Sequence, residues 1–570
     1  MLGGSFVSDK NFSDLDAFRA AVLNYLVAEC RYVAEDIQAH KDLTPDEKEE
    51  LGLLVRGAIR VDAGDPSSIV YTTPVNFTKL RPGDEVRILD EGGAGGGRVA
   101  IVEENAIERM SFKVETSELG PDDFPLRADI VVHEQNNLDA LISVVRDIRD
   151  GGQGVNFMKM LGGLLEPRTE ARFGRITDFS DVELPVSFNV GQRQAVHMAM
   201  RRPSIAFVQG TPGSGKTHLL SVIARGYARR SKDVVIIALT HQAVNNALNK
   251  VCELDPCLPV AKIGKTFKNH DLNGLVAQDE TFKDYLAKRK SGGHFFDKVG
   301  HVVGMTFQSA LFNLGKKRSP FIPQIVLFDE AGQVPFTHAI AVGAFGCGSV
   351  VFIGDDAQMP PIYHEKLSDD PLSVSVFERI KSLYPSNGQV LNITYRMNSE
   401  ITRFVGDRFY LPKGIDLLCS SFSADRHIDD PVIEFITCSS PGAEDENESE
   451  AAIAVEVANK YLDSGLPADR LAIITPYRRQ VRMIHKRLAE SRSGCVELPL
   501  VDTVERLQGQ DVDVIILSFA TDDHRYFRAQ KAFLMNPNRL NVMFSRATSK
   551  VVVVSSQLVR DSLIAIHVGQ

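Results

Sequence analysis

Residues 210–217 read Gly-Thr-Pro-Gly-Ser-Gly-Lys-Thr, a spacing that suits one kind of ligand. A glycine-rich turn lets successive backbone N–H groups face inward around phosphate oxygens, and a helix beginning there adds the positive end of its dipole. In that setting Lys216 reaches the β- and γ-phosphates and Thr217 ligates Mg²⁺, with Gly210, Thr211, Pro212, Gly213, Ser214 and Gly215 forming the cradle. Further along, Val326-Leu-Phe-Asp329-Glu330 ends an apolar run on two carboxylates. Asp329 is placed for the Mg²⁺ shell, and Glu330 for orienting and deprotonating an attacking water. The two pieces together specify phosphoryl transfer from a nucleoside triphosphate to water. On its own a strand ending in Asp-Glu is common. A chance match to the phosphate loop is harder to sustain once its surroundings are read.

That chemistry needs a strand before the loop and a helix after it, and the chain supplies SIAFVQ (204–209) and HLLSVIARGYARR (218–230). The runs VVIIAL, HVVGMTF, QIVLFDE and VVFIGD are short, β-branched and nearly all apolar, as parallel strands covered on both faces must be. A second alternating series follows, VIEFITC, LAIITP, DVIILSFA and KVVVVSS. The fold class expected is therefore α/β, with two tandem units built on parallel sheets. Upstream, residues 14–59 carry apolar positions at helical spacing, and Thr44-Pro45 marks a fresh helix start over PDEKEELGLLVRGAI. From Ser68 to Val132, short β-type runs separated by RPGD and EGGAGGG suggest a small barrel, with GGAGGG as a flexible hairpin tip. NNLDALISVVRDIRD then reads as a helix, followed by a polar linker to about Glu183. The boundaries expected are a helical segment at 1–65, a barrel at 66–135, a second helix at 136–165, one α/β unit at 166–375 with a short insertion at 250–298, and the other at 376–570.

The sequence has 570 residues, too many for one core, and a net charge of −10, which argues mildly against a protein that only coats nucleic acid. Seven scattered cysteines suggest reduced thiols in the cytoplasm. No apolar run approaches the roughly 20 residues that cross a bilayer, so no membrane association is expected. The acidic stretch GAEDENESE (442–450) reads as a solvated loop entering a helix. The basic clusters at 225–232, 286–290, 315–318 and 477–487 could line a groove, although solvated helix faces account for each one singly.

Several further segments occur in a fixed order. They are Phe188-Asn189-Val190-Gly191-Gln192, THQAVNN (240–246), Gly304-Met305-Thr306, Asp329-Glu330-Ala331-Gly332-Gln333 and Gly354-Asp355-Asp356-Ala357-Gln358-Met359-Pro360-Pro361. Then come Tyr395-Arg396-Met397, Thr475-Pro476-Tyr477-Arg478-Arg479-Gln480, Leu507-Gln508-Gly509-Gln510-Asp511 and Asn541-Val542-Met543-Phe544-Ser545-Arg546-Ala547. This series resembles the motifs of superfamily-1 helicases, and most of all their 1B branch, typified by the nonsense-mediated-decay and immunoglobulin mu-binding-protein helicases. The resemblance implies two RecA-like domains preceded by a small barrel on stalk helices, with ATP and Mg²⁺ as ligands. It implies that Gln192 hydrogen-bonds adenine, that Tyr395 stacks on it, and that Gln358 senses the γ-phosphate. Arg396 and Arg546 match the arginine fingers that reach across from the second domain, while Gln508, Gly509 and Asp511 lie at a ribose- or strand-contact motif. Thr240, His241, Asn245, Thr306, Thr475, Pro476, Tyr477 and Arg478 match strand-contact positions. The implied activity is ATP-driven movement along single-stranded DNA or RNA, 5′ to 3′, by a monomeric motor, with a protein partner in a nucleic-acid-processing system. Asp511 departs from the family's Glu, Phe544-Ser545 stands where a small residue and Thr are usual, and Met359 replaces Leu.

Other classes fit less well. A guanine-reading NKxD pattern fails at Asn249-Lys250-Val251-Cys252, and small-molecule kinases need no second unit of this kind. The alternative from another class is an ATP-gated clamp that holds a strand without unwinding it. A scaffold with a dead site is opposed by the intact Lys216, Thr217, Asp329, Glu330, Arg396 and Arg546.

Overall fold

Continuous apolar runs are poorly suited to a solvated edge, and here all but VIEFITC become inner strands of two parallel sheets. The computed structural model describes residues 12–565 apart from 62–67, 74, 75, 77, 79, 81–83, 93–96, 106–108, 114–122, 135, 137, 149–152, 169–182, 265–270, 280, 292–298, 315–321, 493–496 and 505–510. The expected hairpin tip lies largely outside these residues, whereas the span expected as a polar linker begins with a helix, Gln153–Leu161, whose Phe157, Met158 and Leu161 enter the core of the first α/β unit.

The chain enters on a 28-residue helix, Leu15–Asp42, capped by the Asp14 carboxylate accepting from the Ala17 N–H. Phe18, Val22 and Leu26 on one face join Leu141, Val145, Phe157 and Phe336 in one core, so the helix is fastened to the first α/β unit. A short helix Pro45–Glu50 follows, with a capping box between Thr44 and Glu47. It was expected to run to Ile59 but stops at Glu50. Gly52 turns the chain at φ +71°, and Leu54–Val61 forms a strand instead. The reason is pairing: this strand is flanked on both sides by antiparallel neighbours, a tertiary constraint that helical spacing alone does not reveal.

The strands β1 (Leu54–Val61), β2 (Ser68–Thr72), β3 (Glu85–Asp90), β4 (Arg98–Asn105), β5 (Arg109–Lys113) and β6 (Arg127–Val132) close a barrel in the order β1-β2-β5-β4-β3-β6. Val55, Tyr71, Val86, Ile88, Phe112 and Ile130 fill it. The first of these strands thus lies within the span read as the helical segment 1–65.

The first α/β unit holds β7 (Ile205–Gly210), β8 (Val234–Ala238), β9 (Val260–Ile263), β10 (Ala277–Asp279), β11 (Val302–Thr306), β12 (Ile325–Phe328), β13 (Val350–Gly354) and β14 (Gly388–Leu391). They form one sheet in the order β10-β9-β11-β8-β12-β13-β7-β14, and every pairing in it is parallel. Two expectations are corrected here. The segment 250–298 is no mere insertion, because β9 and β10 extend the sheet. The first unit also continues past 375: the helix Val376–Leu383 packs into its core and β14 pairs with β7. A strand as polar as Gly-Gln-Val-Leu gives little apolar signal, because an edge position needs little.

After a small pairing of β15 (Ile393–Thr394) with β16 (Leu418–Cys419), the second unit follows with β17 (Ile433–Thr437), β18 (Leu471–Ile474), β19 (Leu500–Asp502), β20 (Val512–Ser518) and β21 (Ala547–Ser555). These form a parallel sheet in the order β17-β21-β20-β18-β19. The acidic stretch 442–450 is not wholly solvated. Glu450 is 0% exposed, and its carboxylate accepts from Ser518 Oγ at 2.9 Å and the Ala520 N–H at 2.7 Å. Among the described residues, no helix is long and apolar enough to cross a membrane.

Candidate active site between the two sheets

In parallel sheets the carboxyl ends of the strands face one side, and ligands gather there. Along that edge the neighbouring strands β11, β8, β12, β13 and β7 lead into Thr306, Thr240, Asp329, Asp355 and the phosphate loop. Segments far apart in sequence are therefore set in one row.

The loop from Gly210 runs into the helix Lys216–Ala228. Gly213 and Gly215 take φ +70° and +82°, a left-handed backbone that turns consecutive N–H groups to one side at no steric cost to glycine. Lys216 Nζ donates to the Gly210 carbonyl at 2.8 Å, folding the ammonium over the loop. Ser214 Oγ is buried without a partner. Gln192 caps its own helix by accepting from the Asn189 N–H, and its Nε2 donates to the Ser214 carbonyl at 3.0 Å. Asn189 Nδ2 in turn donates to the Tyr395 hydroxyl at 2.9 Å. Gln192 and Tyr395 are thus brought to the same end of the loop.

Asp329 is 4% exposed and accepts from the Glu330 N–H at 3.0 Å. Burial, then the charge of Glu330, raises the Asp329 pKa, and Lys216 pulls the other way. Such a carboxylate gains stability from a cation beside it. Glu330 itself sits at φ +53°, ψ +37°, a left-handed conformation uncommon for a side chain of its size. Strain of that kind persists where a tightly built neighbourhood over-determines it. Here that neighbourhood includes Gly332, since a Cβ on Gly332 would lie 2.7 Å from the Asp355 carbonyl, so Ala331–Gln333 can press directly on the β13 turn. Gly332 is thus sterically fixed.

The second unit supplies the opposite wall. The Tyr395 N–H donates to the Gly213 carbonyl at 2.9 Å, which seats Arg396 against the phosphate loop. Arg396 Nη1 donates to the Ser545 carbonyl at 3.3 Å, and its Nε lies 3.6 Å from Asp511. Arg546, 4% exposed, donates from Nη2 to Gln358 Oε1 at 3.3 Å. Burial lowers the Arg396 pKa, opposed by Asp511 and Glu330. Burial and then the charge of Arg396 bring Arg546 down to about 10, which leaves it charged at neutral pH. The Nε atoms of both guanidiniums are buried without a hydrogen-bond partner. Two desolvated cations that repel one another, with donors to spare beside a glycine cradle, form a site built for a polyanion. Asp511, read as a ribose or strand contact, instead faces the Arg396 guanidinium. Gln508 and Gly509 lie outside the described residues.

The strand-contact set is placed differently. Thr240 caps the helix His241–Leu254. Thr306 accepts from the Ser309 N–H at 3.2 Å, and Asn245, 3% exposed, accepts from Lys262 Nζ at 2.7 Å. Thr475 is 0% exposed and Pro476 is buried, whereas Tyr477 and Arg478 are half-buried at the start of the helix Arg478–Ser491. His241 is half-buried as well.

Three residues of the site were not singled out from the sequence. Asp355 accepts from Gln209, Gln358 and Tyr410; Asn538 Nδ2 donates to the Asp356 carbonyl at 3.0 Å; and Lys381 Nζ donates to Asp356 at 2.9 Å. Of these, Asp355 could have been found from its place inside Gly354–Pro361. Asn538 and Lys381 sit at no motif spacing.

Two family models, each described as an AAA domain, match residues 187–371 and 372–558. The "DNA replication ATP-dependent helicase/nuclease dna2" of Schizosaccharomyces pombe is 27% identical over 414 residues, covering 66% of this chain and 28% of that protein. "Regulator of nonsense transcripts 1" of Dictyostelium discoideum is 24% identical over 582 residues, covering 90% of this chain and 42% of the relative. The chain thus spans less than half the length of either relative. Among solved structures, the Arterivirus nonstructural protein 10 helicase aligns with a TM-score of 0.42 at 13% identity, covering 89% of this chain and 80% of that one.

Proposed function

Because the chain belongs to the 1B branch of the superfamily 1 helicases, we propose that it hydrolyses ATP in the cleft between its two sheets and uses the cycle to move along single-stranded DNA or RNA. One observation carries this reading: Arg396 and Arg546, from beyond the first sheet, are buried beside Glu330 and Gln358 over the phosphate loop. Hydrolysis then depends on how the units meet, and that dependence couples chemistry to movement.

In this scheme the glycine cradle and Lys216 bind the triphosphate, and Glu330 takes the proton of the attacking water. Arg396 and Arg546 stabilise charge on the γ-phosphoryl oxygens as the bond to the leaving oxygen lengthens. Thr217 and Asp329 would hold a magnesium ion, which would supply positive charge against the phosphates. The buried carboxylate of Asp329 fits that role. Gln192 and Tyr395 receive the adenine. The strand passes over the helix starts that follow Thr240, Thr306 and Tyr477, gripped at its phosphates and sugars by backbone N–H groups and by the His241 and Arg478 side chains, without reading sequence. Movement runs 5′ to 3′, as in the 1B branch, by a monomer in the cytoplasm. The cysteines among the described residues are all free thiols, which suits that compartment.

The test is ATP turnover with single-stranded DNA, single-stranded RNA and duplex offered separately. Single strands should raise the rate, and Lys216→Ala or Glu330→Gln should abolish the rise while Glu330→Gln still binds ATP. A forked substrate with a 5′ tail should be unwound and one with a 3′ tail left intact. Stimulated turnover without any displacement would favour the clamp, and indifference to every polynucleotide would overturn the motor reading.

A further inference from the structure

From the hydrogen bonds around one buried hydroxyl, we infer that Tyr410 is a positioning residue that sets Gln358 and Arg546 together, an inference that rests on the ATPase reading above. Tyr410 closes the five-residue π-helical stretch Gly406–Tyr410, a geometry that is rare and gathers at functional sites. Its side chain is 0% exposed. The hydroxyl donates to Asp355 Oδ2 at 2.6 Å and accepts from Asn541 Nδ2 at 2.9 Å, joining segments 55 and 131 residues away.

Each partner leads to the γ-phosphate side of the cleft. Asp355 Oδ1 accepts from Gln209 Nε2 at 2.7 Å and the Ala357 N–H at 3.1 Å, and Oδ2 accepts from Gln358 Nε2 at 2.7 Å. An ionised carboxylate only accepts, so Gln358 must present its NH₂ to Asp355. Its Oε1 is thereby turned to Arg546, as the 3.3 Å bond from Nη2 records. On the other side, Asn541 also donates to the Ala357 carbonyl at 2.6 Å, and its helix Pro537–Ser545 ends at the cap residue Arg546. The two routes from Tyr410 therefore meet again at the Gln358–Arg546 pair. Fixing a ring of bonds at two points leaves the finger arginine little freedom, and that is how a group outside a reaction controls its geometry.

A buried tyrosine can also be nothing more than a satisfied core residue, so the test must separate the two roles. Tyr410→Phe keeps the ring and removes the hydroxyl. With ATP and a saturating single-stranded polynucleotide, kcat should fall about tenfold while KM for ATP holds, the size of one lost charge-assisted bond. Asn541→Ala should show the same split, and the double variant should be no slower than the slower single one. Turnover of Tyr410→Phe at the parent kcat would overturn the inference. So would single defects that multiply. A loss that follows the number of fluorescent-ATP binding sites, with kcat per site intact, would overturn it too. If the parent protein shows no turnover with any polynucleotide, the ATPase reading fails first and takes this inference with it.

Discussion

Two stretches of the same sheet edge treat their side chains differently. Around the phosphate loop, Ser214, Arg396 and Arg546 keep buried donors without a hydrogen-bond partner. Three strands away at the end of β8 and four away at the end of β11, Thr240 caps a helix, Thr306 accepts from Ser309, and Asn245 is taken up by Lys262. The contrast teaches what each ligand requires. A transferring phosphoryl group needs strong donors aimed at one point, and these must be held ready against their own repulsion. A polynucleotide backbone is repetitive and is gripped by N–H groups and helix ends, so residues on that side shape loops more than they reach out.

If the contrast holds, substitutions at the first set should strike turnover and those at the second should strike stability. The largest effect is expected at the arginines. Arg396→Ala and Arg546→Ala should each lower kcat about 10³-fold with ATP affinity little changed, measured by stimulated turnover and equilibrium nucleotide binding. Next comes Glu450, buried in the second unit. Burial raises its pKa from 4.5 to about 7 in the folded protein, so the folded state holds the extra proton in that window. Stability should be full below pH 4.5, fall as pH rises toward 7, and then level off after a loss of up to about 3 kcal/mol. Glu450→Gln should flatten that profile in denaturant titrations without altering turnover per folded molecule. Gly332→Ala should follow, because its Cβ meets the Asp355 carbonyl at 2.7 Å. Overpacking of about 1–3 kcal/mol should lower the melting temperature, and kcat should fall with it. Smallest is Thr240→Ala, which removes a helix cap and should cost about 1 kcal/mol of stability while leaving affinity for a single strand unchanged. A large loss of strand affinity at Thr240 with stability intact would break the comparison.

Much of the cleft was legible in the residues because phosphate chemistry fixes both residue type and spacing. Gly210–Thr217 and Asp329-Glu330 follow from such constraints, and the apolar runs placed them at strand ends. What could not be read depends on tertiary pairing. Leu54–Val61 has helical spacing but is claimed by two neighbouring strands, and Gly388–Leu391 is too polar to announce itself as part of the first sheet. Glu450 sits in an acidic stretch whose composition says solvent, yet two donors, Ser518 at the end of β20 and Ala520 just after it, hold it inside. Tyr410 belongs to no spacing pattern, because its partners are set by the meeting of two units.

The most direct trial of the whole account is a structure of the chain bound to ADP, magnesium and aluminium fluoride. The account predicts that the guanidiniums of Arg396 and Arg546 both donate to the fluoride at about 3 Å, with Gln358 turned toward the same point. Arginines left out of hydrogen-bonding reach while the nucleotide fills the cradle would contradict it.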